Sequence, residues 1–153
     1  YLCNVMDMIS TLTWEDFRFL VEKLCCLNFN TAPIESNHVV GPQEALLTFP
    51  PRMGLQQTAV RIVAVGTQED LSKFRKSCAH DENGVLQKLF YIAKDFDNDF
   101  RTFTIAAGVG LEDCPTIEVL PLNHVATSVI KNNLDGWLIM KIQNEYLKDK
   151  LND

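Results

Sequence analysis

The stretch TAVRIVAVGTQEDLSKFRKSCA, Thr58 to Ala79, decides the fold. Its first half is dense in β-branched side chains, with Val60, Ile62, Val63 and Val65 crowded together. That is the composition of a central strand buried on both faces. Gly66 ends the run, and TQEDLSKFRKSCA follows as a helix with Glu69 and Asp70 in its first turn, where the helix dipole favours negative charge.

Working outward, ALLTF reads as a second strand, separated from the first by PPRMG. Residues 3 to 27 read as two helices that break at STLTWED. Thr13 caps the second helix, Asp16 stands at the return position of a capping box, and Phe17, Leu20, Val21 and Leu24 recur at helical spacing. Residues 28 to 43, rich in Pro and Asn, form a loop. Downstream, HDENG is a turn, and the spacing of Val85, Leu89, Ile92 and Phe96 predicts an amphipathic helix. After DFDND, RTFTIAA and TIEVL read as strands. Pro121 starts a helix that runs to about Asn132, and Trp137 to Leu151 forms the last one after a break at Asp135-Gly136. Helices and strands therefore come in pairs, which predicts an α+β fold: a small mixed or antiparallel sheet of about four strands covered by paired helices. Residues 1–153 are expected to form one domain. Because the chain begins at Tyr1, it is read as excised from a longer protein.

Composition narrows the classes of function. A 46% hydrophobic, 22% charged chain is ordinary for a globular domain, and a net charge of −6 with scattered Lys and Arg argues against nucleic acid and anionic membrane surfaces. No apolar run approaches the ~20 residues of a membrane span. Five cysteines without a C-x-x-C, and no Asn-x-Ser/Thr, point to a reducing compartment, cytoplasmic or nuclear.

The motifs that suggest chemistry are incomplete. AAGVGLEDCP, Ala106 to Pro115, supplies Gly108 and Gly110 of a dinucleotide fingerprint, but Asp113 stands at the third glycine and TIEVL follows where a helix must begin. Gly66–Thr67 offers one glycine ahead of a helix whose positive end Glu69 and Asp70 already occupy. DFDNDF has Phe100 and Ala106 where a calcium loop requires Gly and Glu. His38, His80 and His124 lack partners at zinc-ligand spacing. Cys114 and His124 could form a thiol–base pair at one edge of the sheet, though no family signature surrounds them. Neither a metal nor a cofactor is expected.

GWLIMKIQNEYLKDKLND puts Leu138, Ile139, Ile142, Tyr146 and Leu147 on one stripe, with Lys and Asp opposite. Trp137 and Tyr146, two and a half turns apart, fall on opposite faces, so only one of them can meet a partner. Tyr146 shares the expected core stripe, which makes Trp137 the expected exposed anchor. The leading expectation is a non-catalytic protein–protein interaction or regulatory domain of a larger intracellular or virally processed protein, with Trp137 and Tyr146 as its partner-binding candidates. The alternatives are a small cysteine-dependent hydrolase or transferase using Cys114 and His124, and a nucleotide or small-anion binder at Gly66–Thr67 or Gly108–Gly110.

Overall fold

The computed structural model describes residues 1–34, 41–51, 56–100 and 117–152. Its centre is β2, Thr58–Gly66. On one side β2 pairs antiparallel with β1, Glu44–Phe49, and on the other it pairs parallel with β3, Lys88–Phe96. A short β4, Ile117–Leu120, adds parallel to β3 and completes a four-stranded mixed sheet of order β1-β2-β3-β4. The α+β class and the mixed sheet agree with the sequence pattern.

Around the sheet lie α1 (Leu2–Ser10), α2 (Trp14–Phe29), α3 (Gln68–Cys78), α4 (Leu122–Lys131) and α5 (Asp135–Leu151). Their ends follow local chemistry. Thr13 Oγ1 accepts from the Asp16 amide at 3.3 Å, and Thr67 Oγ1 accepts from the Asp70 amide at 3.1 Å, so each satisfies an otherwise orphaned donor. Asn30, at φ 53°, closes α2 in the left-handed region that Asn tolerates. The turn after α3 is held by Asp81 Oδ1, which accepts from the Asn83 and Val85 amides, with Gly84 at φ 77°.

Side chains alternate along the strands and build two cores. Leu47, Phe49, Val60, Ile62, Phe90 and Ile92 face one side and pack with α1, α2, α4 and α5 through Val5, Ile9, Phe17, Leu20, Val129 and Leu138. Ala59, Val63, Leu89, Tyr91 and Ala93 face the other side, where Leu71 and Phe74 of α3 meet them together with Phe100. Each fully buried large side chain contributes about 1.5–3 kcal/mol.

One element differs in type from the sequence reading. The segment expected as a helix on Val85, Leu89, Ile92 and Phe96 is strand β3. Leu89, Phe90, Tyr91, Ile92 and Ala93 are all buried, because helices cover both faces of the sheet at this strand. A doubly covered strand loses its period of two, and chance spacings of three and four then imitate a helix. The helix α3 therefore joins β2 to a parallel neighbour, a βαβ unit that the paired reading did not contain. The expected strand RTFTIAA lies outside the described residues. Val65, read with the buried run, is 54% exposed near the carboxyl end of β2.

This placement sets a test on one strand. Val63, 4% exposed, packs against α3. Val63→Asp buries an unpaired carboxylate at a cost of several kcal/mol, comparable to a whole domain stability of about 5–15 kcal/mol, and should unfold the domain. Val65→Asp should leave the melting curve followed by circular dichroism nearly unchanged. Equal effects at both positions would contradict the sheet described.

Candidate functional site

Arg61 is a charge inside the hydrophobic run of β2, with its side chain 13% exposed. Its register partners are Leu46 on β1 and Tyr91 on β3, so it lies on the α3 face of the sheet. Asp70, in the first turn of α3, receives it in a fork: Nε donates to Oδ2 at 2.8 Å and Nη2 to Oδ1 at 2.6 Å. Nη2 also donates to Glu44 at 2.8 Å, and the Tyr91 hydroxyl donates to Asp70 Oδ2 at 2.8 Å. Burial alone would push the Asp70 carboxyl up, but the bonds from Arg61 and Tyr91 and the nearby guanidinium charge outweigh it and hold it below its ordinary range. Burial, then the adjacent Asp70, push the Tyr91 phenol up.

Beside this network a cleft of about 510 Å³ opens at the carboxyl ends of β2 and β3, lined by Thr67, Gln68, Glu69, Ser72, Asp97 and Asp99. Open sheets with parallel strands place ligands at such a position, yet the chemistry here opposes an anion. Glu69, Asp97 and Asp99 carry negative charge, and the Thr67 amide already donates to Tyr91 Oη at 3.3 Å. Gly66 has a packing role: a Cβ there would lie 2.6 Å from the Phe96 ring. The acidic DFDNDF segment is likewise occupied with its own backbone, since Asp95 accepts from the Phe96 amide and Asp97 from the Phe100 amide, both at 2.8 Å. Gly108, Gly110 and Cys114 lie outside the described residues, as does His38.

A second recess, of about 250 Å³, lies between α2, α4 and the β3–β4 half of the sheet. Its inner wall is apolar, with Val21, Leu24, Phe90, Ile92 and Val125, and Cys25 completes it. Burial, with smaller contributions from Cys26 and Glu22, pushes the Cys25 thiol up to about 12, so it stays protonated at neutral pH. His124, the base of the expected Cys114 pair, stands exposed in the first turn of α4 at the mouth of this recess. The thiol it shares the recess with is Cys25, a poor nucleophile. Asn28 and Ser128 flank His124 at the mouth, and sequence reasoning singled out neither. The contact that joins them spans two helices that are distant in the chain.

The third feature is α5. Trp137 is half-buried, packed against the larger core, with its ring 5.8 Å from that of Phe19 on α2. Lys141 Nζ stands 5.7 Å over the same ring and 3.6 Å from Asp16 on α2. Tyr146 is 61% exposed, with Lys150 Nζ 5.7 Å over its ring. The two aromatics do lie on opposite faces, but the expected inward and outward assignments are reversed. The described residues cover the first half of α5 and leave 143–152 exposed, Tyr146 among them.

Among the described residues, no group of three or more His, Cys, Asp or Glu is placed to hold a metal, and no described helix is long and apolar enough to cross a membrane.

Two measurements check these assignments. Trp137→Ala should lower stability by about 2 kcal/mol, or about 4–8 °C in Tm, while Tyr146→Ala leaves Tm unchanged. For Asp70, the depressed folded-state pKa means that its stabilisation is present above the unfolded carboxylate range near pH 4 and is lost as pH falls through the folded value. Asp70→Asn should therefore cost about 2–3 kcal/mol at pH 7, less than a fully buried pair because 24% of the side chain remains exposed. The variant should also show a shallower loss of stability than the wild type as pH falls below about 4, as measured by urea titration at each pH.

Comparison with protein-family models, curated proteins and solved structures gives no match to this chain.

Proposed function

We propose that this chain is a non-catalytic protein-interaction domain and that the projecting half of α5 is its docking element. One observation carries the reading: from Gln143 onward every described residue of α5 is exposed, yet the segment holds Tyr146, Leu147 and Leu151, at 61%, 56% and 86% exposure. With Met140, half-exposed about two turns before Leu147, Leu147 and Leu151 fall within about 40° of one another around the helix axis. An apolar ridge of this kind, interrupted by Asn144 between Met140 and Leu147, matches the way an amphipathic helix enters a hydrophobic groove on a partner protein. Lys148 and Lys150 alternate with Glu145 and Asp149 beside it, so the ridge carries no large field of one sign that would select nucleic acid or an anionic surface.

Two further features support the reading. The acidic cleft at the strand ends and the protonated Cys25 give anion binding and thiol catalysis no complete machinery among the described residues. The uneven number of cysteines, without a C-x-x-C, suits a reducing, intracellular compartment. Trp137 supports the interaction from beneath by fixing the root of α5 on α2.

The test is quantitative binding to a protein captured by the full chain. The double variant Leu147→Ala/Leu151→Ala should retain the wild-type Tm and weaken binding to that protein by about 30-fold or more, the range expected of an interface anchor. Unchanged affinity in the double variant would overturn the assignment of α5. A marked loss of Tm would show that the ridge packs on the domain itself.

A further inference from the structure

We infer that the recess between α2, α4 and the β3–β4 half of the sheet is a binding site for a small neutral molecule, hydrocarbon over most of its length and carrying a single hydrogen-bonding group. Protein interiors are close-packed, and an opening of about 250 Å³ with apolar walls is an exception to that rule. An apolar cavity of about 150 Å³ admits benzene, so this one has room for a molecule of about ten non-hydrogen atoms.

The distribution of polarity inside the recess defines the chemical class. Val21, Leu24, Cys25 and Val125 are buried and form its inner part, with Phe90 and Ile92 of β3 as the back wall. The mouth is polar, with Asn28 and His124 exposed and Ser128 half-buried. Ser128 Oγ accepts from Asn28 Nδ2 at 3.2 Å and from Asn132 Nδ2 at 3.3 Å, which fixes its position and leaves its own hydrogen to donate outward. A ligand entering hydrocarbon end first would bury its apolar part against β3 and present its polar group to Ser128, Asn28 and the His124 ring. Among the described residues no Lys, Arg, Asp or Glu lines the recess, so an ionised ligand would leave its hydration without gaining a counter-charge there. That condition selects a neutral alcohol, phenol or amide over a carboxylate or an amine. The site is separate from the ridge on α5 and does not depend on the role proposed for it.

The experiment uses the full chain and two probes that share one ring system, 2-naphthol and 2-naphthalenesulfonate, followed by isothermal titration calorimetry and thermal shift. The expected result is saturable one-site binding of 2-naphthol with a rise in Tm, and binding of the sulfonate at least tenfold weaker. Asn28→Trp, an exposed substitution at the mouth, should weaken 2-naphthol at least tenfold while the circular dichroism melt stays as in the wild type. Ser128→Ala, which removes the donor and leaves the recess open, should weaken it severalfold. Phe19→Ala, at the separate small recess beside Trp137, should leave it unchanged. Three results would overturn the inference: no saturable binding of 2-naphthol, equal binding of the sulfonate, or 2-naphthol affinity unchanged in both Asn28→Trp and Ser128→Ala.

Discussion

The fork between Arg61 and Asp70 is the contact on which the arrangement of this domain turns. A guanidinium placed in a central strand cannot be left unpaired, because its desolvation would cost several kcal/mol. Its partners come from three other elements: Asp70 from α3, Glu44 from β1 and, through Asp70, Tyr91 from β3. One charge thus sets where the first turn of α3 sits over the sheet. It also aligns β1 and β3 on either side of β2, in the register that places Leu46 and Tyr91 beside Arg61.

That anchoring divides the two faces unevenly. On the α3 face, among the described residues, α3 and Phe100 pack beside the ion pair, the Tyr91 ring and the close approach of Phe96 to Gly66. The opposite face is mainly apolar, with Lys94 reaching the Leu12 carbonyl at its margin, and draws in four helices, two from each end of the chain. Four helices from separate segments do not tile a twisted sheet without gaps, and the recess between α2 and α4 is one such gap. Likewise α5 is longer than the surface it rests on. Tyr1 Oη, bonded to Asp135, and Trp137, against Phe19, hold its first half, and the remainder projects.

Much of the fold was legible in local chemistry. Thr13 and Thr67 cap helices because a hydroxyl ahead of a helix finds an orphaned amide whatever surrounds it. Thr58–Gly66 is a strand because four β-branched residues in six positions disfavour the alternatives. Arg61 also carried a signal that could have been used: a cation in such a run implies a buried acid nearby, and Asp70 stands nine residues on, in the helix that folds back over the strand.

The remainder depended on which surfaces meet. β3 resembles a helix in sequence because burial on both faces erases its alternation, and that burial comes from α3 on one side and from α1, α2, α4 and α5 on the other. The candidate recess joins Cys25 and Asn28 to His124 and Ser128, residues about a hundred positions apart, which no spacing rule connects. Trp137 and Tyr146 show the limit most directly. Helical periodicity by itself determined that they face opposite ways. Which of them turns inward was decided by tertiary structure, because α2 offers Phe19 and Asp16 to the root of α5, and among the described residues its far end stays exposed.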